Sequence, residues 1–315
     1  MNEKVIERTA MAPRRRRIRK FLGENYTGWL FIFPLMFGIA AFTAYPMVQS
    51  LIYSFHDYDG LRLYEFCGFG NYIKMFSSKG DLEEVFQVFG NTFLYAIISV
   101  PLNLILSYLL AVSVNQKIKG VVVFRVLYYM PVVIPGVISG VIWGNLFDPT
   151  RAGLFNTVIT SLGGQTFPFF TSERTAMFSA VLMNMWTLGS GMVLWLSAFK
   201  NISPGLYEAA KIDGAGAFKR LIYITVPLST PMIFYNLVTG VVGAMQTNAT
   251  MVYASDGGRG PGGSLYFIVV KIYNDGLAGN DYGYASAMAW VLFIIIGLLT
   301  VLMFKSSKWV YTGEN

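Results

Sequence analysis

Ser203-Pro204-Gly205-Leu206-Tyr207-Glu208-Ala209-Ala210-Lys211-Ile212-Asp213-Gly214-Ala215, continuing through Phe218-Lys219-Arg220 to Ile224-Thr225-Val226-Pro227, is a charged, polar island between two long apolar runs. It opens as a helix opens: Ser203 is suited to cap the first free N–H groups, and Pro204 to the first helical position. Gly214 is suited to the left-handed backbone conformation that ends a helix. The residues between predict one helix of about ten residues, roughly 15 Å long, too short and too polar to cross a bilayer. Ala209 and Ala210 offer a flat face that another protein can approach closely, and Glu208 and Asp213 flank it.

The rest of the chain explains why such an island stands out. Of 315 residues, 54% are hydrophobic and 13% charged, whereas soluble domains carry about 25% charged residues. The mean hydropathy is +0.51. This predicts an all-α membrane protein with six spans, at about 29–55, 91–114, 121–147, 176–199, 226–253 and 284–304. Pro131 and Pro135 predict a kink in the third. Polar loops occupy 56–86 and 148–174, and a turn-rich Gly/Pro stretch occupies 255–263. The chain thus divides into a basic tail (1–28), a six-helix membrane domain (29–304) carrying the 203–227 loop, and a short C-terminal tail (305–315).

One cysteine, Cys67, rules out an intramolecular disulfide framework, and one histidine, His56, rules out a multi-histidine metal site. Eight Lys and Arg precede the first apolar run. So dense a basic cluster beside a span is the usual cytoplasmic flank, drawn to anionic headgroups, rather than a nucleic-acid site. With six spans both termini share a side. That side, counted with the 115–125 turn and the island, holds seventeen Lys and Arg against seven opposite. The positive-inside rule therefore places both termini and the island in the cytoplasm. No cleavage site follows the first run, and no internal repeat of the inverted-half transporter kind is visible.

The island resembles the EAA loop of the permease subunits of bacterial binding-protein-dependent ABC importers: Glu-Ala-Ala, three residues, Gly, nine residues, then Ile-x-Leu-Pro. Glu208-Ala209-Ala210, Gly214 and Ile224-Thr225-Val226-Pro227 fit it, with Val226 where the pattern prefers Leu. Weaker stretches in the same order resemble the sugar-type permeases of that family, the subunit related to the maltose importer's larger permease. They include Phe69-Gly70-Asn71-Tyr72, Asn91-Thr92-Phe93, Met130-Pro131 and the 281–287 segment. The maltose permease's large external domain has no counterpart here. The resemblance implies the six-helix type I importer fold and a cytoplasmic coupling helix that docks into an ATPase. It also implies a second related permease, an ATPase dimer, an extracytoplasmic sugar-binding protein and a carbohydrate substrate.

On that reading Glu208, Ala209, Ala210, Asp213 and Gly214 couple the chain to the ATPase. Asp213 is expected to cap or salt-link locally. The chain has no Gly-x-x-x-x-Gly-Lys-Ser/Thr loop, so it is expected to be no enzyme and to bind no cofactor itself. ATP and Mg belong to the partner. Polar side chains inside spans are costly against lipid and mark a substrate path or helix–helix glue. The fourth span carries Asn184, Trp186, Thr187 and Ser190, with helical spacing grouping Asn184 with Thr187 and Trp186 with Ser190. The fifth carries Asn236, Thr239, Gln246, Thr247 and Asn248. Amides and hydroxyls with an aromatic plate suit a sugar. Asn91 and Asn103 in the second span are expected to be packing glue. The alternative is a stand-alone secondary transporter or channel, which would bury ionisable residues in mid-span for ion coupling. The span interiors here hold almost none.

Overall fold

The computed structural model of the chain describes residues 26–61, 65–77, 79–116, 119–248 and 256–311. The basic N-terminal tail and the expected end of the fifth span at 249–253 lie outside the described residues. The chain separates into two compact units that meet in sequence at Tyr53 and Ser54. The first contains α1 (Tyr26–Ile39), a widened π turn (Ala40–Ala44) and α2 (Tyr45–Tyr53), together one long apolar helix. The π turn ends two residues before Pro46. A proline lacks the N–H and crowds the carbonyl four residues back, and widening the turn relieves both.

The second unit begins with a small β-ribbon, β1 (His56–Asp57) antiparallel to β2 (Glu65–Phe66), and the short helix α3 (Gly70–Ser77). Asn71 holds this corner by donating from Nδ2 to the Ser54 and His56 carbonyls at 3.1 and 2.9 Å. Next comes α4 (Lys79–Val114), which starts twelve residues before the expected second span. Leu82, Val85, Val88 and Phe89 continue the apolar period ahead of Asn91, so the helix starts well before the expected span. At about 54 Å it is far longer than the roughly 30 Å hydrocarbon core requires.

The third crossing is broken rather than kinked. Helices α5 (Val121–Val133) and α6 (Gly136–Leu146) meet at 103°. Pro135 disfavours helical backbone at the residue before it, and Ile134 is extended (φ −75°, ψ 125°). The loop at 148–174 contains a further helix, α7 (Leu154–Ser161). Here the fully buried Asn156 ties the chain together through the Asp148 and Phe167 carbonyls and the Phe167 N–H.

The fourth crossing comprises α8 (Glu173–Asn184), a tight 3₁₀ turn (Met185–Thr187) and α9 (Leu188–Lys200). The island contains α10 (Pro204–Ile212) and α11 (Ala217–Arg220). A π turn (Leu221–Thr225), again ending two residues before a proline, leads through α12 (Val226–Leu228) into α13 (Thr230–Met245), with a 66° bend at Ser229. A short helix, α14 (Ile268–Tyr273), precedes α15 (Tyr282–Lys305), the sixth crossing. Among the described residues four helices are long and apolar enough to cross a membrane, and there are up to six such crossings if each bent pair counts as one.

Within the second unit α4 is the central post, packing against α9, α13, α8 and α14. One core gathers Phe147, Phe169, Met245, Tyr266, Phe267 and Met288; a second, lower one surrounds Trp195 with Tyr108, Met192 and Phe199. In the segment 265–270 every residue except the half-buried Val269 is buried, although the segment follows a turn-rich loop. Side chains of α4 satisfy its backbone: Asn91 donates to the Gly263 and Tyr266 carbonyls at 2.7 and 3.2 Å, and Thr92 accepts from the Ile268 N–H at 3.1 Å. Asn91 therefore secures a loop rather than a neighbouring helix.

Candidate functional site

Two places concentrate polar groups. The first is an open cavity of about 400 Å³ lined by three elements. From α4 come Tyr95, Ser99, Asn103 and Ser107; from the fourth crossing Asn184, Thr187 and Ser190; from the fifth Asn236, Thr239 and Thr247. None of the described residues lining it is charged. Asn184 is the hub. Its Nδ2 donates to the Tyr95 hydroxyl at 2.6 Å, and its Oδ1 accepts from Asn103 at 3.4 Å.

The chain is built locally to make this wall. Thr187 Oγ1 donates to the Asn184 carbonyl at 3.0 Å and Ser190 Oγ to the Thr187 carbonyl at 2.9 Å. Such side-chain bonds compete with the regular ladder and favour the tight turn. With about three residues per turn there, residues 184, 187 and 190 fall in one row. This corrects the face assignment made from a 3.6 period: Ser190 joins Asn184 and Thr187, while Trp186 points to a second cavity of about 250 Å³.

The fifth crossing departs further from expectation. Helix α13 ends at Met245 and Gln246 is its C-cap residue, so Gln246, Thr247 and Asn248 lie past the helix. Two glycines in the last two turns, followed by Thr247 and Asn248 with their low helix propensity, weaken helix continuation. Of these three, Thr247 lines both this cavity and the one beside Trp186. Asn103, read as packing glue, lines the same wall. Tyr95, Ser99 and Ser107 escaped the sequence reading altogether, although their spacing of four, four and four with Asn103 marked a polar stripe down α4.

The second place is the island. Helix α10 has no buried residue; Glu208 and Ala209 are exposed and Ala210 half-buried. Ser203 occupies the N-cap position without a side-chain capping bond, and Pro204 stands at the first turn. Asp213 is the C-cap residue, but its carboxylate bonds no described residue, which removes the expected local cap or salt link. Gly214 has φ +76°. The Gly214 N–H donates to the Lys211 carbonyl at 3.1 Å and the Ala215 N–H to the Ala210 carbonyl at 2.8 Å, a Schellman closure. Tyr207 then ties the helix to the fifth crossing, its hydroxyl 2.9 Å from Thr225 Oγ1.

A polytopic helical protein with broken crossings around an uncharged polar cavity, and a short exposed helix between two of those crossings, is a membrane permease. Residues 103–312 match the family described as "Binding-protein-dependent transport system inner membrane component", and the chain belongs to that family. It is 35% identical over 299 residues to the probable ABC transporter permease protein YesP of Bacillus subtilis (strain 168), covering 94% of each chain. It is 26% identical over 300 residues to the lactose transport system permease protein LacF of Rhizobium radiobacter, covering 93% of this chain and 97% of that one. Among solved structures, the bacterial alginate ABC transporter in complex with alginate pentasaccharide-bound periplasmic protein includes a chain that superposes with a TM-score of 0.80 at 20% identity, covering 93% of this chain and 97% of that one. That likeness establishes the fold.

Proposed function

We propose that this permease forms half of the translocation path for a carbohydrate in an ATP-driven importer. In this reading it pairs with a second, related permease, receives its cargo from an extracytoplasmic binding protein, and is driven by an ATPase dimer that alone binds ATP and Mg. The observation that carries the substrate class is the wall of the larger cavity, where hydroxyls and amides from three crossings converge without a charge. A polyhydroxylated neutral group can exchange its water hydrogen bonds for these, and buried donors left unpaired would reject a solute that cannot. The relative LacF carries a sugar in its name, which agrees.

Coupling is assigned to α10. Glu208, Ala209, Ala210, Asp213 and Gly214 form an exposed knob that the ATPase grips, and the Tyr207–Thr225 bond passes its displacement into the fifth crossing. This requires the island, and with it both termini, to lie in the cytoplasm of a bacterial cell whose inner membrane holds the chain.

Proteoliposomes containing this chain, its partner permease, the ATPase and the binding protein test the reading. Lactose and diacetylchitobiose, the sugars named for two relatives, serve as probes. Import that needs both ATP and binding protein is expected. Import by this chain alone, without ATP, would establish a stand-alone carrier instead.

A further inference from the structure

Where α4, α9, the island and the start of the fifth crossing meet, there is an open cavity of about 180 Å³ that shares no lining residue with the polar one. Val112, Phe199 and Leu221 give it apolar walls, and Asn115, Tyr207 and Arg220 give it polar ones. Arg220 is the anomaly. Its Nε–H is shielded from solvent and meets no acceptor among the described residues. No carboxylate of a described residue pairs with it. Arg125, which reaches the end of α4, shows the ordinary outcome: its Nε and Nη2 donate to the Val114 carbonyl at 3.3 and 2.7 Å. A guanidinium cannot shed its charge, and a shielded charged donor without an acceptor is costly.

We propose that this cavity is a phosphate site, with Arg220 as its anion-binding residue. Phosphate oxygens match the parallel N–H pairs of a guanidinium, in which Nε takes part. The place suits a phospholipid headgroup. Helix α4 ends at Val114 and α9 at Lys200, and the long helix of the fifth crossing starts only at Thr230, so the cavity lies where crossings leave the membrane. Lys200 and Lys219, each next in sequence to a wall residue, are exposed. Basic pockets between crossings on the cytoplasmic side bind anionic headgroups, and the apolar walls suit a glycerol backbone. Free phosphate offers the same oxygens without using those walls. Tyr207 and Thr225, bonded to each other, also line the cavity. A group seated there braces the link between α10 and the fifth crossing, so ATP turnover by the assembled importer rises with occupancy. The site does not depend on the cargo being a carbohydrate.

The complete importer, rebuilt into phosphatidylcholine vesicles with increasing phosphatidylglycerol, tests this. Native mass spectrometry counts the phosphatidylglycerol that the complex keeps, and ATP hydrolysis stimulated by binding protein is measured on the same preparations. The wild type is expected to keep one more phosphatidylglycerol per copy of this chain than Arg220→Gln does, and to hydrolyse ATP several-fold faster as that lipid is added. Arg220→Gln should not respond. Arg220→Lys keeps the charge without the fork and should respond in between. Equal abundance of the three complexes, and equal activity in phosphatidylcholine alone, separate a lost site from a failed fold. Stimulation of the wild type but not of Arg220→Gln by inorganic phosphate, in phosphatidylcholine alone, would support the site and assign it to the free anion. Equal lipid retention and equal response in wild type and Arg220→Gln would overturn the site. Release of the ATPase from Arg220→Gln at unchanged lipid content would also overturn it, giving Arg220 to a carboxylate of the motor. Failure to import any sugar while the lipid difference persists would count against the carbohydrate reading alone.

Discussion

At Gly214 the backbone has φ +76°, and a Cβ built there would meet nothing within 4 Å. Substitution costs backbone strain rather than collision, about 1–2 kcal/mol for an ordinary side chain. Gly214→Val is therefore expected to loosen the end of α10 and lower ATP-driven import several-fold at unchanged membrane abundance, whereas Gly214→Asn, which tolerates this backbone region, should retain most of it. Equal import by the two variants would show that the closure is not needed.

The second residue of consequence is Lys271, 2% exposed between the fifth and sixth crossings. It pairs with Glu84 of α4 and, at 3.0 Å, with Asp275; Arg259 lies 3.5 Å from Glu84. Burial alone would push the Lys271 ammonium down, but Glu84 and Asp275 hold it above its ordinary value. A raised lysine contributes stability that is fully present below its unfolded pKa, about 10.4, and lost as pH rises through the higher folded value. Burial raises the Asp275 carboxyl, with Lys271 pulling it back only in part. Its contribution too is greatest below the ordinary aspartate range. Lys271→Met is expected to cost about 3–5 kcal/mol by stranding two carboxylates. The wild-type thermal midpoint in detergent should fall as pH rises above about 10.4, and the variant's should change less over the same range.

Among the elements, the fourth crossing decides the site and also marks where sequence reading stopped. Its polar residues were legible because Asn, Thr and Ser inside an apolar run are conspicuous. Their grouping was not, because a three-residue turn replaces a 3.6-residue one only when Thr187 and Ser190 turn their hydroxyls onto the backbone, and nothing in the composition announces that choice. The stripe on α4 was missed for a different reason: Tyr95, Ser99 and Ser107 are common in membrane helices as glue, and only tertiary placement turns them toward a cavity. Close packing supports the same crossing. A Cβ at Gly189 of α9 would overlap the Tyr128 carbonyl oxygen of α5. Gly189→Ala is expected to part these helices at a cost of about 1–3 kcal/mol, read as a lower thermal midpoint. Gly297→Ala in α15, where no atom lies within 4 Å of the added carbon, should be neutral or stabilise by up to about 1 kcal/mol.

For the whole molecule, hydropathy and the spacing of the island were enough to read a six-crossing permease, since both are properties of long segments that tertiary context cannot easily reverse. The two sharp breaks were only half legible: prolines mark where a helix is disturbed, but the angle depends on what packs on either arm. Sidedness rests on charge and is open to a direct measurement. Cys67 is the chain's single cysteine and is exposed, in the segment between the first and second crossings. A membrane-impermeant maleimide is expected to label it in right-side-out vesicles. In a Cys67→Ser, Lys211→Cys protein, labelling should require inverted vesicles. The opposite pattern would reverse the orientation and remove the island from reach of any cytoplasmic motor.

The bend at Ser229 has a mechanical meaning. Ser229 is buried and its Oγ lies 3.1 Å from the Tyr108 hydroxyl on α4, so the elbow is pinned to the central post. Below it, Tyr207 grips the lower arm; above it, Asn236 and Thr239 face the cavity. On the coupling proposed above, a push at the island would turn the fifth crossing about this pinned elbow rather than slide it lengthwise, and Asn236 and Thr239 above the bend would swing with it.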